Sequence, residues 1–458
     1  MPERLHFTVT PIDATPAVEL FSQATEPLVW WRRGQGLVAW GQAARAEFNG
    51  PNRFDLAEAW WREVVAHSRV IGHPMNWAVA PICLGTFTFA ATSPLPSVLV
   101  VPEVALYQQG NQRWLIKAEP LATGGLRLPS QDPGKLFAQP FANPAPGPPP
   151  ASPKTGHQPR PPTGPRGKAE GKALGQGSGI AERSGHHRAS AWPGVIQQAL
   201  TAINRGEVEK VVLARDVLVA AEPPIDLRQV VSALMREYPD CWTYSVEGLV
   251  GATPELLVRL RGGLVTSRVL AGTIRRTGDD AADLARAGAL ARSSKDLEEH
   301  QFAVESVIAA LEPFVEALSW PEVPSVLHLP NVMHLATDVV GDLTGRDRGA
   351  MPWSVALAKA LHPTAAVCGT PRLNAARLIA QLEGIDRGRY AGPVGWMDAT
   401  GQGEWGIALR CGQFNAPRDL AQLWAGGGIV AASVPAEELA ETEAKLQPMR
   451  QALTLASG

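Results

Sequence analysis

The chain has 458 residues, with 42 Lys and Arg against 44 Asp and Glu, and its formal charge of −2 excludes a broad electrostatic hold on nucleic acid or an anionic membrane. Hydrophobic residues make up 45% and charged residues 19%, which suits a globular protein with a large core, and no apolar run reaches the ~20 residues of a membrane span. The start, MPERLHFTVT, lacks an apolar leader core, and Cys83, Cys241, Cys368 and Cys411 form no CxxC pair. These features predict a soluble, cytoplasmic protein with buried thiols and no disulfide framework or thiolate zinc site.

Residues 1–139 read as strand-rich. LVWW (28–31), LVAWG (37–41), GTFTFA (85–90), SVLVVP (97–102) and RWLIKA (113–118) are short, β-branched or aromatic, and bounded by Gly or Pro. A helix is predicted over 56–70. Tryptophans 30, 31, 40, 60, 61 and 77 read as core rather than as a ligand-stacking face. Residues 140–190 read as a Pro/Gly-rich flexible insert, with almost no large apolar side chain after Phe141. Residues 191–458 alternate helices (192–204, 279–292, 296–311, 352–361, 372–382, 434–454) with strands (209–220, 255–260, 264–270, 404–411, 421–425), and 326–343 reads as one further strand-like stretch.

Several residues in this last segment have chemistry that their setting would change. Lys210 heads the strand KVVLAR, where desolvation would lower its pKa toward that of a general base; a strand-end lysine reaching for solvent is the plainer alternative. Glu255, in ATPELLV, opens an apolar strand that would keep its carboxyl neutral, as a general acid requires; an edge-strand glutamate facing water has the same local sequence. Glu299 lies on one helix. Glu438 and Glu441 lie three apart on another, with Lys445 one turn further and Ser433 as candidate cap. Carboxylates on two helices suit a hard ion, Mg2+ above Zn2+, and equally suit a charged helix face. The turns Ala271-Gly272-Thr273 and Ala425-Gly426-Gly427-Gly428 offer backbone amides to an anion. Arg410 has room for a carboxylate beside Ala408 and Gly406.

In order along the chain, KVVLAR (210–215), GATPELLV (251–258), LAGT (270–273), SSKDLEEHQ (293–301), LHPTAAVCGTPR (361–372), RGRYAGPVGW (387–396), GEWGIALR (403–410) and AGGGIVAASVPAEELAETEAK (425–445) resemble the chorismate-utilising enzymes. That family includes isochorismate synthase, salicylate synthase and anthranilate synthase component I. The chain departs from the family at Val269 and Val434, where relatives often carry Pro and Asp. The resemblance implies an α/β (α+β) fold built as a single large unit: two facing antiparallel-rich sheets, helices outside and the site in the cleft. The halves on either side of the insert would share one core.

The resemblance also implies roles. Lysine at the position of Lys210 goes with delivery of water rather than ammonia, hence with isochorismate synthase and no glutaminase subunit. Lys210 would be the base and Glu255 the acid. Glu299, Glu438 and Glu441 would hold Mg2+, with Asp296 behind them. Arg410, Tyr390 and the amides of Gly426 and Gly427 would hold the enolpyruvyl carboxylate of chorismate. Gly272, Thr273, His362 and Lys445 would complete the pocket. Salicylate synthase is the first alternative, and a non-catalytic chorismate-binding protein or a subunit serving a glutaminase is an alternative of a different class. Isochorismate feeds both menaquinone and catechol siderophore pathways, and the residues do not choose between them.

Overall fold

Two sheets organise the computed structural model, which describes residues 4–12, 26–73, 75, 78–120, 172–173, 179–343 and 351–457. Fourteen strands form one sheet and ten the other, and all pair antiparallel except Leu5–Pro11 with Arg69–Gly72. Both sheets draw on both halves of the chain. Leu28–Arg32 pairs with Trp242–Val246 in the first, and Ile82–Thr86 pairs with Pro393–Asp398 in the second. One apolar core joins the halves, from Leu5, Trp30 and Trp61 through Trp192, Val269 and Trp405. This is the shared core that the family resemblance implies.

Most predicted elements form, and the differences have local causes. Helices at Trp192–Asn204, Asp280–Leu290, Ser294–Leu311, Ser354–Leu361, Arg372–Glu383 and Pro435–Ala456 match the apolar spacing. Asp279 and Ser293 cap two of them through side-chain oxygens. Ser433 does not cap the last helix: Val434 stands at the cap, and Ser433 Oγ turns back to accept from Val430 N. The 326–343 stretch is a hairpin, Ser325–His328 and Val332–Asp342, turned at Pro330-Asn331. The 404–411 stretch divides into Gly403–Ile407 and Cys411–Phe414, which lie in different sheets.

Most of the predicted insert, 140–190, lies outside the described residues, but its C-terminal end is structured. Ile180–Ser184 pairs with Val217–Ala221 as a strand of the larger sheet. Ile180 is buried there, so the single apolar side chain in a polar stretch anchors the strand. Trp30 and Trp61 are core residues as expected, Trp31, Trp40 and Trp60 are half-buried, and Trp77 lies outside the described residues. All four cysteines are free and buried, and among the described residues no helix is long and apolar enough to cross a membrane.

Candidate active site

Glu255 and Arg410 occupy two places where the chain passes from one sheet to the other. Glu255 joins Leu249–Thr253 of the larger sheet to Leu256–Arg261 of the smaller, and Arg410 joins Gly403–Ile407 of the smaller to Cys411–Phe414 of the larger. The crossovers are neighbours: Ile407 N donates to Glu255 O, and Ala252 N donates to Arg410 O. Arg410 is held at φ 51°, a backbone state non-glycine residues seldom adopt. A pocket opens here, lined by Glu255, Gly272, Thr273, Glu299, His334, Arg387, Tyr390, Arg410, Gly426, Gly427, Gly428 and Lys445.

Burial sets the charge state of the acid. Glu255 is 4% exposed, and desolvation, opposed by Lys210, pushes its carboxyl up to about 8. It is therefore protonated at neutral pH. Lys210 is fully buried at the head of the Lys210–Ala221 strand, and its Nζ lies 3.2 Å from Glu299 O and 3.3 Å from Glu299 Oε1.

The glycine run is not a turn. Gly426–Gly428 lies inside the strand Leu420–Ile429, paired with Val212–Ala214, and the need there is for clearance. A Cβ on Gly428 would stand 2.1 Å from Glu299 Oε1 and 3.0 Å from Lys210 Cε; one on Gly427 would stand 3.0 Å from Glu438 Oε2. Ala271–Thr273 is likewise a bulge within Leu264–Arg275, with Gly272 at φ 75° against Asp296.

Each of the three glutamates is paired with a lysine. Glu299 pairs with Lys210 at 3.3 Å, Glu438 with Lys295 at 2.8 Å and Glu441 with Lys445 at 2.5 Å. Among the described residues no three His, Cys, Asp or Glu side chains form a ready metal cage. The donor chemistry nevertheless fits a hard cation. Glu438 is 1% exposed and its Oε2 is buried without a partner. Desolvation and then the charge of Glu441 push its carboxyl up to about 7. A divalent ion would relieve both penalties.

Tyr390 stacks on Trp424 with ring centroids 5.3 Å apart, and its hydroxyl lies beside Gly426. Lys445 Nζ donates to Gly426 O at 2.9 Å. His362 departs from the expectation. It is absent from the pocket lining, its Nε2 bonds Phe89 O at 2.9 Å, and its ring packs against Phe54 and Phe89. It is a core histidine, pulled down to about 3 by burial.

Sequence reasoning missed His334, Arg387 and Lys295. His334 sits in an apolar strand, VMHLATDVV, and a polar residue amid such alternation was the available signal. Arg387 opens RGRYAGPVGW, where the local pattern gives it no role. A larger cavity of about 320 Å³ lies elsewhere, beside Trp30, Arg32, Trp242 and Glu404. Its lining is cationic, with Arg32, Arg33, Arg259 and Arg261 around Glu404, which pairs with Arg259 at 2.7 Å.

A buried carboxyl, a buried amine and a buried arginine thus lie at or beside one pocket. Residues 170–454 match the model of the chorismate binding enzymes, and the chain belongs to that family. It is 33% identical over 469 residues to the salicylate biosynthesis isochorismate synthase of Pseudomonas aeruginosa, covering 99% of this chain and 90% of that protein. It is 38% identical over 269 residues to the isochorismate synthase DhbC of Bacillus subtilis, covering 56% of this chain and 66% of that protein. Its fold is similar to that of MenF, the menaquinone-specific isochorismate synthase of Escherichia coli, with a TM-score of 0.71 at 22% identity over 99% of this chain and 96% of that one.

Proposed function

We propose that this chain is an isochorismate synthase, an isomerase that adds water at C2 of chorismate and expels the C4 hydroxyl. The observation that carries the reading is Glu255, a carboxyl kept protonated at neutral pH by burial, in a pocket that Glu299 also lines, with Lys210 Nζ 3.3 Å from Glu299 Oε1. Names of relatives support the same reaction.

Lys210 takes the proton of the water that attacks C2. The ring double bonds shift, and Glu255 gives its proton to the departing C4 hydroxyl, so one water enters and one leaves. Arg410, buried and pulled below its usual pKa by desolvation, binds the enolpyruvyl carboxylate with Tyr390 and the backbone of Gly426 and Gly427. Gly272, Thr273 and Lys445 complete the wall. Mg2+ would be held by Glu299, Glu438 and Glu441, with Asp296 behind, and supplies a positive charge for the ring carboxylate. Four free thiols fit a reducing compartment, and we place the enzyme in the cytoplasm.

Product analysis tests the reading. Purified protein with chorismate and Mg2+ should form isochorismate. Salicylate and pyruvate as main products would move the assignment to the lyase, and anthranilate formed from ammonium salts would overturn water delivery by Lys210.

A further inference from the structure

We propose that Glu383 and Arg387 are a positioning pair for Lys210, standing in for a strand that is missing beside it; this rests on Lys210 being the base. The Lys210–Ala221 strand is paired along one edge with Leu420–Ile429 over Val211–Ala220. Its other edge is covered at both ends but not in the middle. Gly369–Thr370 pairs with Lys210 and Val211, Cys368 O accepts from Val212 N, and Ile180–Ser184 begins only at Val217. Between Val212 and Val217 no strand lies alongside that edge among the described residues.

Two side chains occupy that gap. Glu383 Oε1 accepts from Ala214 N at 2.7 Å, and Arg387 Nη2 donates to Val212 O at 2.7 Å. These are the groups an adjacent strand would have bonded. The pair is closed on itself, with Nε to Oε2 at 2.9 Å and Nη2 to Oε1 at 2.5 Å. Glu383 is 0% and Arg387 4% exposed. Arg387 Nη1 also donates to Val367 O at 2.9 Å, tying in the segment that carries Cys368, and the guanidinium lies over the Phe89 ring.

The placement is specific. Val212 and Val367 line the pocket, and Lys210 is two residues from Val212. A planar fork fixes two carbonyls and a carboxylate at once, which a lysine cannot do. Loss of the pair would leave the strand intact on its inner edge and free to shift on its outer edge. That movement would displace Lys210 relative to Glu255 without removing a group that binds substrate.

Two variants test this. Arg387→Lys keeps a cation for Glu383 but cannot span both carbonyls. Glu383→Leu with Arg387→Met removes both charges, so neither is left buried and unpaired. We expect kcat to fall by roughly 10²-fold in the double variant and about tenfold in Arg387→Lys, with KM for chorismate within about threefold of wild type. Amide exchange at Ala214 should quicken in the double variant. A kcat within about threefold of wild type in both overturns the proposal, as does a rise in KM at unchanged kcat, which would make Arg387 a substrate ligand. If the double variant does not fold, Arg387→Lys decides by the same criteria. Lys210→Ala is run alongside: turnover surviving in it would sink the base assignment itself, a result separate from the behaviour of the pair.

Discussion

Arg410 donates from Nη2 to Nε2 of His334 at 2.9 Å inside the pocket. A guanidinium has only donors, so His334 Nε2 must accept and its proton sits on Nδ1. Burial first, then Arg410, pulls His334 well below its ordinary pKa and keeps it neutral. Nδ1–H donates to Thr273 Oγ1 at 3.1 Å, which leaves the threonine proton free to point into the pocket. His334→Leu should strand Arg410 and raise KM for chorismate by roughly 10-fold or more, the worth of one hydrogen bond to a charged group. Steady-state kinetics with unchanged KM would show that Arg410 is oriented by other contacts.

Lys210→Ala should lose turnover by ~10²–10⁴-fold, the usual worth of a general base, while chorismate still binds. The expectation of retained binding follows from where the carboxylate ligands sit: Arg410 lies in the crossover before Cys411–Phe414 and Gly426–Gly427 in the strand Leu420–Ile429, neither in the strand that carries Lys210. Single-turnover rates and equilibrium binding separate the two effects. A variant retaining a tenth of wild-type turnover would exclude Lys210 as base.

The activity should fall on the alkaline side as Glu255 loses its proton near pH 8, since the acid works only protonated. Its folded pKa is raised above the ordinary carboxyl value of 4.5. The stability it contributes is full below pH 4.5 and is lost as pH rises to about 8. Glu255→Gln should abolish turnover and flatten unfolding free energy across that window. An alkaline limb that persists in a partly active Glu255→Gln would assign the limb to another group.

His362 acts in the opposite sense. Its folded value is depressed from 6.5 to about 3, so stability is present above pH 6.5 and is lost as pH falls through that range. His300, depressed to about 4, adds to the same loss. Denaturant titrations of His362→Gln between pH 6.5 and 4 should show a shallower decline than wild type.

Mg2+ should raise the unfolding temperature of the wild type, because an ion bound only by the folded state stabilises it. Glu438→Gln should lose that rise and the Mg2+-dependent activity, because it removes the charge of the carboxylate whose Oε2 is buried without a partner. Gly428→Ala should be inactive for a steric reason, with a Cβ 2.1 Å from Glu299 Oε1. An unchanged Mg2+ shift in Glu438→Gln would place the ion elsewhere.

The helices with clear apolar spacing, the strand carrying Lys210, and the motif order were legible in the chain because each depends on neighbours within a few residues. So were Lys210, Glu255, Glu299, Glu438 and Arg410 as a set, through their motifs. Tertiary structure decided the rest. It put Glu255 and Arg410 at two neighbouring passages between the sheets and turned an apparent glycine loop into a strand cleared for carboxylates. It sent His362 to the core while bringing His334 to the pocket. Each of these depends on contacts between segments far apart in sequence, such as Arg410 with His334 or Glu383 with Ala214. A residue's local pattern shows what it can do, but its burial and partners come from the other segments packed against it.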